Sequence, residues 1–117
     1  GVVFPDGTKQ TTAASTGTSE PIAFGCIEGG GAIASGSGNI SCTWNATDKW
    51  YEITITGETY TWDGYVTIVT PGINMILYPD PVFATSGAYN GKLIVAIYLD
   101  DNSTTVQRYF QFVTYKP

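Results

Sequence analysis

From residue 21 onward, apolar and polar residues alternate with a period of two, and this pattern decides what the chain can fold into. Ile40, Cys42 and Trp44 share one face of a run whose other face is Ser41, Thr43 and Asn45. Tyr51, Ile53 and Ile55 lie opposite Trp50, Glu52, Thr54 and Thr56, after a hairpin-length connection at Ala46-Thr47-Asp48. Successive side chains of a strand point to opposite faces, so this period sends one set to a core and the other to water. No stretch carries the stripe of an amphipathic helix. Thr, Val, Ile, Tyr and Trp fill the runs, and these residues suit a pleated, half-buried surface. Strands are expected over 22–28, 39–45, 49–56, 59–62, 65–70, 74–78, 92–100 and 105–115, separated by turn residues such as Gly29-Gly30-Gly31 and the pair Gly36 and Gly38. So many short strands predict an all-β fold: a small antiparallel β-sandwich or jelly-roll-like head.

Residues 1–20 read differently. Pro5-Asp6-Gly7 is a turn signal between Val2-Val3-Phe4 and Lys9-Gln10-Thr11-Thr12, and residues 13–20 have the small, polar composition of a linker. An isolated hairpin is marginal in water. Val2, Val3 and Phe4 are its only apolar material, so the expected partner is another copy of the chain. The expected division is a stalk hairpin and linker over 1–20 and a β-sandwich head over 21–117. The chain opens on Gly1, as a processed fragment would, and no signal peptide is legible there.

One run departs from the alternation. Lys92-Leu93-Ile94-Val95-Ala96-Ile97-Tyr98-Leu99 is apolar on both faces, and a strand buried on both sides needs cover on both. Two readings stand: a central strand with a loop folded over it, or a subunit interface through Ile94, Ala96 and Tyr98. The last strand has a similar character, with Phe110 and Phe112 on one face and Tyr109, Val113 and Tyr115 on the other.

Composition narrows the function. The 117 residues make one ordinary domain, or one small domain with an appendage, and 43% of them are hydrophobic, enough for a packed core. Ten acids against five bases leave a net charge of −5. This argues against nucleic acid and anionic lipid as partners, since both demand a basic surface. There is no histidine, which removes the commonest general base and metal ligand. Two cysteines cannot build a zinc site alone. No apolar run reaches the ~18 residues of a membrane-spanning helix, so membrane insertion is not expected.

The segment Phe4-Pro5-Asp6-Gly7-Thr8-Lys9-Gln10-Thr11-Thr12-Ala13 resembles the F-x-D-G-T-x-Q-T-T-A stretch of tail fibres from bacteriophages, prophages and contractile injection particles. There it lies in or at the end of a fibrous stalk, before a C-terminal head. Gly36–Asn45 and Tyr51–Ile55 are similar, more loosely, to small β heads that follow such stalks. The resemblance implies a homotrimer whose stalk strands wrap together, which would supply the partner that Val2, Val3 and Phe4 lack. It also implies a head at the distal tip of a virion or particle fibre, assembled in the bacterial cytoplasm and touching a host-cell surface receptor, often a glycan. The alternative it allows is a structural cap that registers the trimer without binding a receptor.

The residues themselves favour binding over catalysis. Glycoside cleavage needs a carboxylate pair, but Asp48, Asp63, Asp80, Asp100 and Asp101 fall at expected turns, where Asp usually caps the backbone. Glu52 and Glu58 have no visible partner, so no catalytic residue is expected. No EF-hand spacing is present, and no metal or other cofactor is expected. The sixteen aromatic residues, three Trp, eight Tyr and five Phe, are the better signal. Trp and Tyr pair an apolar body with a polar tip, and their faces stack on sugar rings. Trp50 is expected to point outward, and Tyr60, Trp62, Asp63 and Tyr65 cluster at a turn. These five residues form the expected receptor site, while Trp44, in phase with Ile40 and Cys42, belongs to the core. Cys26 and Cys42 are expected to be free buried thiols, although a disulfide is compatible with their spacing.

Overall fold

The computed structural model of the chain describes residues 20–72, 81–99, 101 and 104–117. The expected stalk hairpin with Val2, Val3 and Phe4, the expected strand at 74–78, and Asp80 and Asp100 lie outside these residues.

The described residues form a β-sandwich of two four-stranded antiparallel sheets. Its strands are β1 (Pro21–Ile27), β2 (Ile33–Gly36), β3 (Ile40–Asn45), β4 (Trp50–Ile55), β5 (Val66–Pro71), β6 (Val82–Tyr89), β7 (Lys92–Leu99) and β8 (Phe110–Tyr115). The first sheet runs β2-β1-β8-β5 and the second β3-β4-β7-β6. β1 and β2 pack over β3, and β5 packs over β6.

The alternation in the sequence becomes the inside and outside of this sandwich. Tyr51, Ile53 and Ile55 of β4 are buried, as are Ala23 and Ile27 of β1, Leu93, Val95 and Ile97 of β7, and Phe110 and Phe112 of β8. Trp44 packs against this core with its ring 4.8 Å from that of Tyr51. Gly25 faces inward where Ile40 and Phe112 close over it. A Cβ there would lie 2.8 Å from Ile40 Cδ1 and 3.2 Å from Phe112 Cε1.

Buried polar groups tie the sheets together. The Tyr51 hydroxyl of the second sheet donates to the carbonyls of Gly29 (2.7 Å) and Arg108 (3.2 Å), which follow β1 and precede β8. Burial pushes its pKa up to about 12. The hydroxyls of Tyr60, Thr67 and Thr114 form a chain of 2.7 and 2.9 Å bonds, which satisfies the fully buried Thr114.

The turns explain where the expected strands hold and where they fail. Ala46-Thr47-Asp48 does connect β3 to β4. The Asn45 side-chain oxygen accepts the amides of Thr47 and Asp48, and Lys49 takes a φ of 60°. β6 and β7 join through Asn90 and Gly91, with φ of 52° and 75°, in a two-residue hairpin of the kind that needs positive φ at both positions. That dipeptide marks the end of β6, a strand the alternation did not show, because Ser86 and Gly87 interrupt its pattern. β2 was missed for a related reason: it is a four-residue exposed edge strand ending at Gly36. Residues 59–62 are not a strand. Their backbone instead meets the tip of the β6–β7 hairpin, where the Tyr60 amide donates to the Gly91 carbonyl at 2.9 Å.

Among the described residues no helix is long and apolar enough to cross a membrane.

Candidate functional site

β7 is the second strand from the edge of its sheet, between β4 and β6, and this bears on its two apolar faces. Ile94 and Ala96 point outward yet are only 7% and 6% exposed in the single chain. Tyr51 pairs with Val95, so Trp50 lies in the row of Ala96, while Tyr89 of β6 pairs with Lys92. The Trp50 and Tyr89 rings approach to 5.9 Å, and they therefore meet across β7 from rows on either side of Ile94. The chain covers this strand itself. Ile94 and Ala96, expected at a trimer interface, have little surface left to bury there, and their apolar character does not call for a second copy. Tyr98 is half-buried and stacks on Phe83 at 5.3 Å.

The same face carries a polar network. Glu52 Oε2 accepts the Asn45 side-chain amide at 2.9 Å and the Trp50 indole N–H at 3.0 Å, and Lys92 Nζ stands 3.5 Å from Oε1. The Asn45 hydrogen bond first, then that of Trp50, hold the Glu52 carboxyl below its ordinary range. The latter bond ties the half-buried Trp50 indole to the carboxylate two residues along its own strand. Trp50, Phe83, Tyr89 and Tyr98 thus give this sheet an aromatic outer surface with one paired acid and base among the rings.

The cluster expected at 60–65 is split. Tyr60 and Tyr65 are 5% and 9% exposed and stack on each other at 4.8 Å within the core. They are corrected from receptor contacts to packing residues, because their rings complete the apolar interior and have little face left for a ligand. The Tyr65 hydroxyl donates to Glu58 Oε1 at 2.7 Å, and Lys116 Nζ lies 3.0 Å from the same oxygen. The Tyr65 hydrogen bond, then Lys116, lowers the Glu58 pKa. Trp62 remains 78% exposed, beside exposed Asp63, on a turn where Thr61 Oγ1 accepts the Gly64 amide at 3.2 Å. Trp50 makes its ring contact with Tyr89, away from the Tyr60–Tyr65 stack.

Comparison with protein-family models, with curated proteins and with solved structures found no match.

The outer face of the first sheet has a different chemistry. Phe24, Val113 and Ile68 form one row across β1, β8 and β5, with Val66 and Tyr115 paired alongside. Ile68 is 57% exposed and Phe24 and Val66 about as open. Open grooves flank β8, one against Phe24, Cys26 and Ser35 and the other against Ile68 and Thr70. Sequence reasoning missed this surface, because the apolar side of β1 (Ile22, Phe24, Cys26) and that of β5 (Val66, Ile68) are the sides the fold turns outward.

Cys26 faces this outer side of the first sheet, whereas Cys42 packs against the core from the second, and both are free. Burial pushes the Cys42 thiol up to about 12. Asp101 serves the turn: its carboxylate accepts the Thr104 amide at 2.9 Å and the Thr104 hydroxyl at 2.6 Å. No group of acidic or cysteine side chains among the described residues could hold a metal ion.

Proposed function

We propose that the chain is the receptor-binding head of a trimeric, phage-like tail fibre, which attaches to a glycan on the host-cell surface. The observation that carries this reading is the exposure of flat aromatic rings beside polar groups on a rigid sandwich. Trp62 stands at a turn tip next to Asp63, and Trp50 lies on a sheet face next to Glu52 and Lys92. Aromatic side chains cover apolar area at low entropic cost, while a few placed polar groups give orientation. The stalk-like segment at Phe4–Ala13 supports the fibre context. Three weak sites on one trimer gain avidity without any new contact.

The test is binding of the purified chain to a panel of immobilised bacterial surface polysaccharides, with its solution mass measured by light scattering. A mass three times that of one chain together with retention on some polysaccharide is expected. A monomer that binds none of them overturns the reading.

A second reading, an assembly cap without receptor binding, draws on the Phe24–Val113–Ile68 row. An exposed, uncharged apolar sheet face commonly marks an interaction surface. A trimer that forms normally yet ignores every surface glycan would favour this second reading.

A further inference from the structure

Resting on the glycan-binding reading, we propose that the Trp50–Tyr89 pair on the outer face of the second sheet is a subsite for one neutral pyranose ring, with Glu52 accepting its hydroxyls.

Three observations define the site. First, the indole N–H of Trp50 is spent on Glu52 Oε2, and its half-buried ring meets that of the 52% exposed Tyr89 at 5.9 Å, so the pair gives this face an aromatic surface. Second, the polar groups beside that surface are arranged for hydroxyls. Glu52 Oε2 is occupied by Asn45 and Trp50, while among the described residues Oε1 faces Lys92 at 3.5 Å, long for a strong bond. A carboxylate oxygen has lone pairs for more than one donor, so Oε1 can accept a sugar hydroxyl while Lys92 Nζ donates to its neighbour. Third, Gly87 pairs with Ile94 beside the ring pair, and a Cβ on it would meet nothing within 4 Å. Among the described residues nothing therefore fills the space directly over Gly87, which leaves the strand open on the side of Tyr89.

Charge selects the class of sugar. Glu52 pairs with Lys92, the Asp48 carboxylate stands 3.1 Å from the same Asn45 side-chain amide, and the whole chain carries −5. An acidic sugar would meet net repulsion from this excess of carboxylates. A neutral hexose meets hydroxyl partners and an apolar platform at no electrostatic cost.

The experiment uses the full native chain, with the indole resonances of Trp50 and Trp62 assigned by Trp50→Ala and Trp62→Ala. It is titrated with neutral oligosaccharides of glucose, galactose and mannose and, separately, with oligogalacturonate. The indole N–H resonance of Trp50 is followed by NMR. Expected is a shift of the Trp50 signal with a neutral sugar, at least a tenfold affinity loss in both Trp50→Ala and Tyr89→Ala, and little change with added salt. Thermal melting checks that both variants are folded, and Tyr89, at the exposed edge, covers the case in which Trp50→Ala is not. A preference for oligogalacturonate that weakens with salt overturns the neutral class. Binding that survives Trp50→Ala and Tyr89→Ala but is lost with Trp62→Ala overturns the subsite and leaves the receptor-binding reading intact. Failure of the native chain to bind any surface polysaccharide overturns both.

Discussion

The indole N–H of Trp50 donates a 3.0 Å hydrogen bond to Glu52 Oε2, two residues further along the same strand. The bond does two things at once. It lays an aromatic ring along the outer sheet face above the Ile94 row, and it helps keep a half-buried carboxylate ionised. Covering the strand and holding the Glu52 carboxylate are therefore properties of the same side chain.

Acid stability follows from that carboxylate. The Glu52 pKa in the folded chain lies below its ordinary 4.5, so the unfolded chain takes up this proton first as pH falls. Its contribution is complete above the ordinary carboxylate range and is lost as pH drops below about 4.5 toward the folded value. Glu52→Gln should melt lower than the native chain at pH 7, and the difference should shrink as pH falls toward 3. Melting curves across that range check this, and a constant difference would show that Glu52 is not the titrating group.

Ile94→Lys and Ile68→Lys should behave oppositely. Ile94 is already covered within one chain, so a lysine there buries an unpaired charge or breaks the Trp50–Tyr89 cover, at a cost of several kcal/mol. Ile68 is open, so Ile68→Lys should change the stability of one chain by no more than ~0.5 kcal/mol. Urea unfolding measures both. If the assembly-cap reading holds, Ile68→Lys also lowers the solution mass.

The Tyr51 hydroxyl bridges loops that belong to the opposite sheet. Tyr51→Phe removes the hydroxyl that donates to the Gly29 carbonyl at 2.7 Å and should cost about 1–3 kcal/mol. Ultraviolet titration of the native chain should show one tyrosine ionising near 12, and that component should vanish in the variant.

The thiols should differ in reactivity. With its pKa raised to about 12 by burial, Cys42 has almost no thiolate at pH 8, whereas Cys26 faces the outer side of its sheet. Brief alkylation followed by mass spectrometry should therefore add one label at Cys26, and denaturant should admit the second. A native chain two hydrogens lighter, the mark of an internal disulfide, would contradict the placement of the two residues on opposite sides of the first sheet.

Gly25→Ala should destabilise the sandwich by about 1–3 kcal/mol, because the added methyl runs into Ile40 and Phe112 in a closed core. Gly25→Ala combined with Ile40→Val removes the nearer of those atoms and should recover part of the loss, as read by urea unfolding.

Alternation made β3, β4 and β8 legible, because each turns its more apolar face to the core, while β1, β5 and β7 showed as short apolar runs between turn residues. It failed for β2, which is exposed throughout, and for β6, whose small residues Ser86 and Gly87 blur the pattern. Of the expected receptor residues, Trp50, Trp62 and Asp63 lie on the surface. Tyr60 and Tyr65 do not, since an irregular segment has no period from which facing can be read.

The sequence by itself determined the class of fold, the inward faces of β3, β4 and β8 and the packing of Trp44 against the core, because local extended geometry sends alternate side chains to opposite sides. Only the tertiary structure decided what lies over those faces. β7 is apolar on both sides because β4 and β6 flank it and their rings meet above it, not because its sequence demands a partner. Trp50 gains its role from Tyr89, thirty-nine positions away in the chain, and such a pairing depends on register between strands, which no local pattern encodes.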